Sequence, residues 1–345
     1  GPDAPLSDEK RQVPALQARQ LSRQIRPWYG ITSFSAMVRD AAAHPGGSPP
    51  DTASVIPDPG TEPSEMTAVH PDAGTNPSDR ASVIPDLRED APDLISPVHG
   101  ADMAICLQAF PKGAGSGDFF HAVLEHMDFQ GEAAHVEACV SQYLPWFGLG
   151  DTALLEPAKT AVADIVSTQL VTGPGGFSLE DIAKTDRITE AEFLCDAHTL
   201  HLSRLADLLS TRKRWKAYAE RLRKLDSGSI PGFIKGFIDL VIRFRGRYYI
   251  IDYKSNFLGD TYADYNLSSM TAAMEDHHYV LQYHLYVMAL YRYLTLRCKK
   301  YDHDRDFGGV LYLFIRGMHP DLPGSGVFFD RPPQALVQKM INHDR

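Results

Sequence analysis

Three charged residues in two neighbouring β-branched segments have the types and the spacing that metal-assisted hydrolysis requires. Asp239 lies in the first segment, and Asp252 and Lys254 lie in the second. The segments meet at an Arg-Gly pair, residues 245–246, which predicts a hairpin with Asp239 opposite Asp252. Carboxylates at opposed strand positions lie roughly 5 Å apart and repel each other, so a divalent cation between them would stabilise the pair.

The alternation of side chains along the second segment places its residues in distinct roles. Lys254 shares a face with Asp252, whereas Tyr253 points away and leaves its backbone carbonyl as a further oxygen ligand for a hard cation. Lys254 would orient the attacking water or neutralise the developing negative charge. A D-x-K triplet alone is also typical of a surface ion pair on a hairpin, so the surrounding sequence must decide.

The surrounding sequence resembles a known nuclease family. The two carboxylates and the lysine resemble the PD-(D/E)xK signature, and the runs Gly-Phe-Ile-Asp-Leu-Val and Ile-Asp-Tyr-Lys-Ser-Asn-Phe-Leu-Gly resemble the C-terminal nuclease domain of RecB. Gln282 and Tyr286 stand four residues apart on one helix face and resemble the Q-x-x-x-Y motif of RecB-type nucleases. The resemblance spans roughly residues 99–318.

The resemblance implies a role for each candidate residue. The catalytic residues would be Asp239, Asp252 and Lys254. The metal ligands would be His121, Asp239, Asp252 and the carbonyl of Tyr253. Gln282 and Tyr286 would position the cut strand or its phosphate. The implied cation is Mg²⁺, and the imidazole ligand makes Mn²⁺ a competent substitute.

The elements that must position these residues follow from the resemblance and from local patterns. The implied fold is α/β, with a restriction-endonuclease-like core in which a central mixed β-sheet is flanked by helices. A helix beginning at Phe119, capped by Ser116 or Asp118, would carry His121. Residues 276–293 are predicted to form one long helix, and residues 307–317 a buried strand.

The segment Glu-Ala-Glu-Phe at residues 190–193 resembles the strand that precedes the catalytic hairpin. A glutamate in this segment would either orient a ligand or form an ion pair at the sheet edge. A second open question concerns residues 212–224, the densest basic tract. This tract is either a solvated helix face or a track for phosphates.

Composition divides the chain into three parts. Residues 1–40 are predicted to hold a helical segment and a lead-in, residues 41–98 a disordered linker, and residues 99–345 the RecB-like nuclease domain. The linker is rich in proline and contains ten Asp or Glu residues against two Arg, a charge of −8. Since the whole chain carries −10, the remainder is near neutral, which is compatible with DNA cleavage but not with strong nonspecific DNA affinity.

Several classes of protein are disfavoured. The four cysteines form no C-x-x-C pair, which argues against a zinc ribbon, a disulfide framework and the iron–sulfur cluster of AddB-like and some CRISPR-associated nucleases. No run of eighteen apolar residues and no secretion signal occurs, which predicts a cytoplasmic protein that does not contact a membrane. No G-x-x-x-x-G-K-[ST] motif occurs, so the chain contains no helicase ATP site of that type.

The resemblance to RecB also implies a function and partners. The expected activity is that of a metal-dependent deoxyribonuclease, exonuclease and endonuclease, which hydrolyses single-stranded DNA ends during double-strand-break processing and recombination. The expected partners are RecC-like and RecD-like subunits and RecA. Two alternatives stay open: a catalytically silent RecA-docking or scaffold module, and an AddAB-like nuclease.

Overall fold

A computed structural model describes residues 31–33, 102–171, 176–196, 202–225 and 232–341. The strands are β1 (Ile31–Ser33), β2 (Arg187–Asp196), β3 (Phe233–Phe244), β4 (Arg247–Lys254), β5 (Phe307–Phe314) and β6 (Val327–Asp330). The helices are α1 (Ala114–His126), α2 (Ala133–Tyr143), α3 (Leu155–Ser167), α4 (Leu202–Ser210), α5 (Lys216–Lys224), α6 (Leu267–Asp276), α7 (Tyr279–Arg297), α8 (His303–Asp306) and α9 (Gln334–Ile341).

The six strands form one mixed sheet. β3, β4, β5 and β6 are neighbours in that order, and β2 pairs with the other edge of β3. The β4–β5 pair is parallel, whereas the β2–β3, β3–β4 and β5–β6 pairs are antiparallel. β1 pairs in parallel with the first three residues of β3. The prediction of a central mixed sheet flanked by helices is therefore confirmed.

The hairpin between β3 and β4 has the predicted register. Phe244 pairs with Arg247 across a two-residue turn. Both turn residues have positive φ, 48° at Arg245 and 78° at Gly246, as in the type I′ turns that match the twist of antiparallel strands. Glycine adopts this conformation without steric cost, which explains its position in the turn.

Each face of the sheet packs against its own helices. The α7 core contains buried residues of α4, α5, α6, α7 and α9, and the α1 core contains those of α1, α2 and α3. Side chains of β4 alternate between the two faces of the sheet. Ile250 belongs to the α7 core, whereas Ile251 and Tyr253 belong to the α1 core. All eight residues of β5 are buried, as expected for a central strand covered on both faces.

Two helix boundaries differ from the predictions. α1 begins at Ala114, not Phe119, and neither Ser116 nor Asp118 caps it; Ser116 Oγ instead donates to Pro111 O at 2.7 Å. Gly115 and Gly117 belong to the helix, and Gly117 permits a close approach, since a Cβ on it would lie 2.9 Å from Ser255 Oγ.

The helix predicted over residues 276–293 is interrupted at its start. α6 ends at Asp276 and α7 begins at Tyr279, and His278 between them has a left-handed φ of 56°. The hydroxyl of Tyr218 and Nδ1 of His278 lie 3.0 Å apart, a hydrogen bond that helps to hold this conformation. The interruption matters for function because it directs the start of α7 toward the end of β4.

Two predictions fall largely on other parts of the chain. The helical segment within residues 1–40 and the linker at residues 41–98 lie outside the described residues, apart from β1. Among the described helices, none combines the length and the apolar character needed to cross a membrane.

Candidate active site

A gap in strand pairing positions Asp239. On one edge of β3, β4 pairs with its second half and β1 with its first three residues, and no described strand pairs there with residues 236–239. The register would place Asp239 opposite Asp252, one step beyond the last pair of the ladder. Instead of a strand carbonyl, the Oδ2 atom of Asp239 accepts the hydrogen bond from the Tyr253 N–H, at 2.8 Å.

The alternation of β3 is interrupted at the same residue. Ile238 and Leu240 are two residues apart, yet Ile238 belongs to the α7 core and Leu240 to the α1 core. In a regular strand two such residues would share a face. The Asp239 carboxylate therefore lies between the two faces of the sheet, where side chains from both can reach it.

His121 reaches Asp239 from α1. The helix is fixed by Phe119, Phe120 and Val123, which are fully buried in the α1 core, while the imidazole remains one-third exposed. Its Nε2 donates to the Tyr253 carbonyl at 2.9 Å, and its Nδ1 lies 3.5 Å from Oδ2 of Asp239. A histidine whose second ring nitrogen donates to a backbone carbonyl is oriented as a metal ligand.

Glu190 joins His121 and Asp239 in one cluster, a position that the sequence alone left open. In the β2–β3 register Thr189 pairs with Leu240 and Ala191 with Ile238, so Glu190 lies opposite Asp239. One ligand atom each from His121, Glu190 and Asp239 lie within 4.8 Å of one another. Glu190 has a φ of 49°, an uncommon and strained conformation for a non-glycine residue, and strained residues of this kind cluster at active sites.

Burial and the neighbouring carboxylates change the pKa of Glu190. Burial, then the negative charges of Asp239 and Glu125, raise the pKa of Glu190 to about 7. The neighbouring Glu192 has the other role considered for this segment, because it forms an ion pair with Lys235 at 3.1 Å. Glu190 therefore joins the acidic cluster, whereas Glu192 forms the ion pair at the sheet surface.

Asp252 and Lys254 face the α7 side of the gap. Asp252 is 1% exposed, and burial together with the charge of Asp239 raises its pKa to about 6. Lys254 forms an ion pair with Asp252. Burial opposes the charged form of Lys254, but the two carboxylates outweigh it and raise its pKa. The ammonium also lies over the Tyr279 ring, 4.3 Å from the centroid, which keeps it charged beside the site.

Gln282 and Tyr286 lie on the face of α7 that is turned to the gap. Gln282 Oε1 accepts from the Tyr312 hydroxyl at 3.0 Å, and the Gln282 side chain also hydrogen-bonds to Tyr286. Tyr286 is 4% exposed, with its ring 5.3 Å from that of Phe193. Burial and the nearby carboxylates, Asp252 first, raise its pKa well above the usual value, so its hydroxyl stays protonated.

A buried arginine connects the two segments that carry the site. The Arg316 guanidinium is 1% exposed and donates to four backbone carbonyls. Three of them, Leu107, Phe110 and Pro111, precede α1, and the fourth, Ser255, directly follows Lys254 on β4. Arg316 thereby fixes the start of the His121 helix against the end of the strand that carries Asp252.

Three arginines of the basic tract have acidic partners within the chain. Arg212 makes two hydrogen bonds of 2.7 Å to the buried Asp330, and Arg221 and Arg223 pair with Asp276 and Asp207 at 2.8 Å. These pairs favour the interpretation of a solvated helix surface with internal ion pairs over a continuous track for phosphates.

The donor set fits a divalent cation. Imidazole nitrogen and carboxylate oxygens converge within 4.8 Å, and neither buried oxygen of Asp252 accepts a well-directed hydrogen bond from the described residues. Buried carboxylates of this kind are stabilised by pairing or by a metal. The seven residues predicted for the site therefore lie around one gap, Glu190 joins them, and the Tyr253 carbonyl accepts a hydrogen bond from His121.

Comparisons with known proteins agree with this geometry. Residues 109–341 match the PD-(D/E)XK nuclease superfamily. The chain is 36% identical over 240 residues to the RecBCD enzyme subunit RecB of Escherichia coli K12, covering 67% of this chain and 19% of that protein. It is 37% identical over 272 residues to RecB of Mycobacterium tuberculosis CDC 1551, covering 70% of this chain and 24% of the relative.

The chain thus spans about a fifth to a quarter of the length of these relatives. RecB of Haemophilus influenzae is 43% identical over a shorter stretch of 166 residues, 48% of this chain and 13% of that protein. The family match covers most of the described sheet and helices, and the residues of the gap lie inside it. The chain therefore belongs to the PD-(D/E)XK nuclease superfamily, and its described part is a RecB-like nuclease domain.

Proposed function

We propose that this nuclease domain is a Mg²⁺-dependent deoxyribonuclease in which Mn²⁺ substitutes for Mg²⁺. The observation that carries the proposal is the convergence of His121, Glu190 and Asp239 at the gap in strand pairing, with Asp252 and Lys254 on its other side. The substrate class that we infer is single-stranded DNA at processed double-strand ends, cleaved by exonuclease and endonuclease action.

The proposed roles follow from the positions of the side chains. His121, Asp239, Asp252 and the Tyr253 carbonyl would hold the cation, and Glu190 adds a carboxylate beside them. When bound, a divalent cation supplies positive charge that polarises the phosphate and acidifies the attacking water. In this structure the Nε2–H of His121 donates to the Tyr253 carbonyl, so the imidazole would have to give up this hydrogen bond for that carbonyl and His121 to bind the same cation.

Lys254 has the charge and location for transition-state stabilisation. Its ammonium is held at the gap by Asp252 and by the rings of Tyr279 and Tyr312. A cation fixed in a site with little water stabilises developing negative charge without reorganisation. We assign it the role of neutralising the charge that develops on the phosphate or of orienting the attacking water.

Gln282 and Tyr286 are proposed to position the strand that is cut. Both belong to α7, and Tyr286 is close enough to Asp252, Asp239 and Glu190 for their charges to raise its pKa. The protonated hydroxyl and the amide nitrogen are hydrogen-bond donors, which suits contacts to phosphate oxygens. Their removal should weaken productive binding more than it weakens metal binding.

The names of the relatives support a proposal about assembly. Each is a RecBCD enzyme subunit, so we propose that this domain belongs to a RecB-like helicase-nuclease subunit and docks with RecC-like and RecD-like subunits. Contact with RecA and action in the cytoplasm during recombination are part of the same proposal.

A cleavage assay tests the proposed function directly. The purified chain is incubated with end-labelled single-stranded DNA in Mg²⁺, in Mn²⁺ and in EDTA, and products are resolved on a denaturing gel. Asp239→Asn and Asp252→Asn should each lower the cleavage rate by about 100-fold or more, the loss typical for a preorganised electrostatic group. Asp186→Asn is the matched control, because Asp186 forms an exposed ion pair with Arg243 at 2.9 Å, outside the gap.

A loss of cleavage shows a loss of catalysis only if the variant is still folded. Each variant should unfold at a temperature close to that of the unmodified chain, and the control should retain full activity. Cleavage that persists in Asp252→Asn, or cleavage by the unmodified chain that is equally fast in EDTA, would show that these carboxylates do not carry the reaction.

A further inference from the structure

An open apolar surface of the sheet lies beside Asp239. Phe237 is 44% exposed in the middle of β3, and Leu194 is 56% exposed near the end of β2. The β2–β3 register pairs Glu192 with Phe237 and Leu194 with Lys235, so the four side chains form one cross-strand patch. We call Leu194, Lys235 and Phe237 the open face.

The open face is backed by a packed core. The sequence neighbours Phe193, Ile234 and Ile238 point the other way and are buried in the α7 core. A Cβ on Gly236 would lie 2.6 Å from the Phe193 ring, so the backbone beneath the open face is in close contact with that core. The α1 core includes β3 residues only from Leu240 onward, and its helices therefore stop short of the open face.

The chemistry of the open face combines an aromatic ring with a cation. The Lys235 ammonium lies 5.4 Å from the centroid of the Phe237 ring and 3.1 Å from a carboxylate oxygen of Glu192. Exposed aromatic rings that bases stack on, together with basic side chains that follow the backbone, are the combination by which proteins bind single-stranded nucleic acid.

The open face is continuous with the proposed catalytic site. Phe237 precedes Asp239 by two residues, a separation of roughly 7 Å along a strand. His121 approaches Asp239 from α1, on the side of the sheet to which Phe237 points. A nucleotide whose phosphate lies at the acidic cluster therefore has a neighbouring base within reach of the Phe237 ring.

We propose that the open face is a base-stacking subsite for single-stranded nucleic acid. Phe237 contacts the base of a nucleotide next to the phosphate that is cut, Leu194 extends the apolar contact, and Lys235 exchanges its bond to Glu192 for a phosphate oxygen. The inference rests on the proposed function for the identity of the reacting phosphate. It adds a residue, Phe237, whose role is to hold the substrate rather than to take part in the reaction.

The decisive test compares oligonucleotides with and without bases. Affinities are measured by fluorescence anisotropy in Ca²⁺ for an oligothymidylate and for an abasic oligonucleotide of equal length, with intact probe verified on a gel. Phe237→Ala should weaken binding of the oligothymidylate by roughly tenfold, a typical loss for one stacked base, and binding of the abasic strand by less than about twofold. Phe237→Trp should restore binding, and the indole fluorescence should be quenched by oligothymidylate.

Leu296→Ala is the matched control, because Leu296 is an exposed leucine, 84% accessible, near the end of α7 and outside the open face. This control should bind both probes like the unmodified chain. In steady-state cleavage Phe237→Ala should raise KM with kcat nearly unchanged, as expected for an interaction made equally before and during the reaction.

Two outcomes overturn the stacking subsite, and a third separates it from the proposed function. An equal loss for both probes would mean that Phe237 supports the fold or the phosphate contacts instead of a base. No loss for either probe would mean that something other than nucleic acid covers this face, for instance a second copy of the chain. A chain that binds oligothymidylate through Phe237 but does not cleave it would refute the proposed function and leave the stacking subsite standing.

Discussion

Replacement of Arg316 by methionine tests whether one buried guanidinium holds the candidate site together. The substitution keeps a long side chain of similar reach but removes the charge and the donors. Four backbone carbonyls lose a hydrogen bond, three before α1 and one after β4. No carboxylate takes part in these contacts, so the effect on stability reflects the carbonyls and not a broken ion pair.

The loss of stability depends on how many of the four carbonyls keep another hydrogen-bond donor after the substitution. Pro111 O also accepts from Ser116 Oγ at 2.7 Å, and Leu107 O also accepts from the Phe110 N–H at 3.1 Å. The carbonyls of Phe110 and Ser255 have no second donor among the hydrogen bonds of the described residues. Loss of the only donor to a buried and to a partly buried carbonyl costs roughly 1–3 kcal/mol each, and part of this is offset because a buried charge is removed. We expect a net loss of about 3 kcal/mol.

Urea and thermal unfolding of the purified chain measure this loss. For a domain of this size about 3 kcal/mol corresponds to a fall in Tm of roughly 6–12 °C. Arg243→Met is the control, since Arg243 forms a half-exposed ion pair with Asp186 whose removal should cost less than about 1 kcal/mol. Metal affinity should also fall in Arg316→Met, because the segments that carry His121 and Asp252 lose their connection. A loss as small as that of the control would refute the reasoning.

Three further changes test the charges and the packing. Glu190→Gln should raise the Tm by about 2–4 °C in EDTA, because one repelling charge is removed, yet reduce the gain on adding Mg²⁺; a fall in EDTA would contradict this. Burial lowers the pKa of His284 from 6.5 to about 4 in the folded chain. As the pH falls, the unfolded chain therefore takes up a proton at His284 before the folded chain does, and the free energy of unfolding falls by about 3 kcal/mol between pH 6.5 and 4. His284→Phe should lack that loss in urea titrations at the two pH values. Gly308→Ala brings a Cβ to 2.2 Å from the Tyr249 ring and should cost roughly 1–3 kcal/mol, whereas Gly115→Ala, with no atom nearer than 3.9 Å, should be neutral or stabilising.

The hairpin and its charged residues could be predicted because local rules determine them. The Arg-Gly turn sets the register from Phe244 and Arg247 onward, and alternation then separates Tyr253 from Asp252 and Lys254. The position of His121 came from the resemblance to RecB-type nucleases, since a histidine on a helix carries no local signal of its own.

Other features depend on tertiary contacts that no local pattern reveals. Glu190 lies opposite Asp239 with a left-handed φ of 49°, and nothing in a Glu-Ala-Glu-Phe segment predicts that conformation or distinguishes Glu190 from Glu192. The role of Arg316 requires contacts to residues about two hundred positions earlier in the chain. The early start of α1 was missed because glycines, which usually end helices, here allow Gly117 to pack against Ser255.

The gap in strand pairing has a consequence for the newly made protein. His121, Glu190 and Asp239 come from α1, β2 and β3, and the Tyr253 N–H that fixes Asp239 comes from β4. A polypeptide still leaving the ribosome holds these groups on separate, unjoined pieces until the hairpin has closed against the first helix. A copy that ends before β4 would therefore lack the N–H that fixes Asp239 and could not complete the cluster.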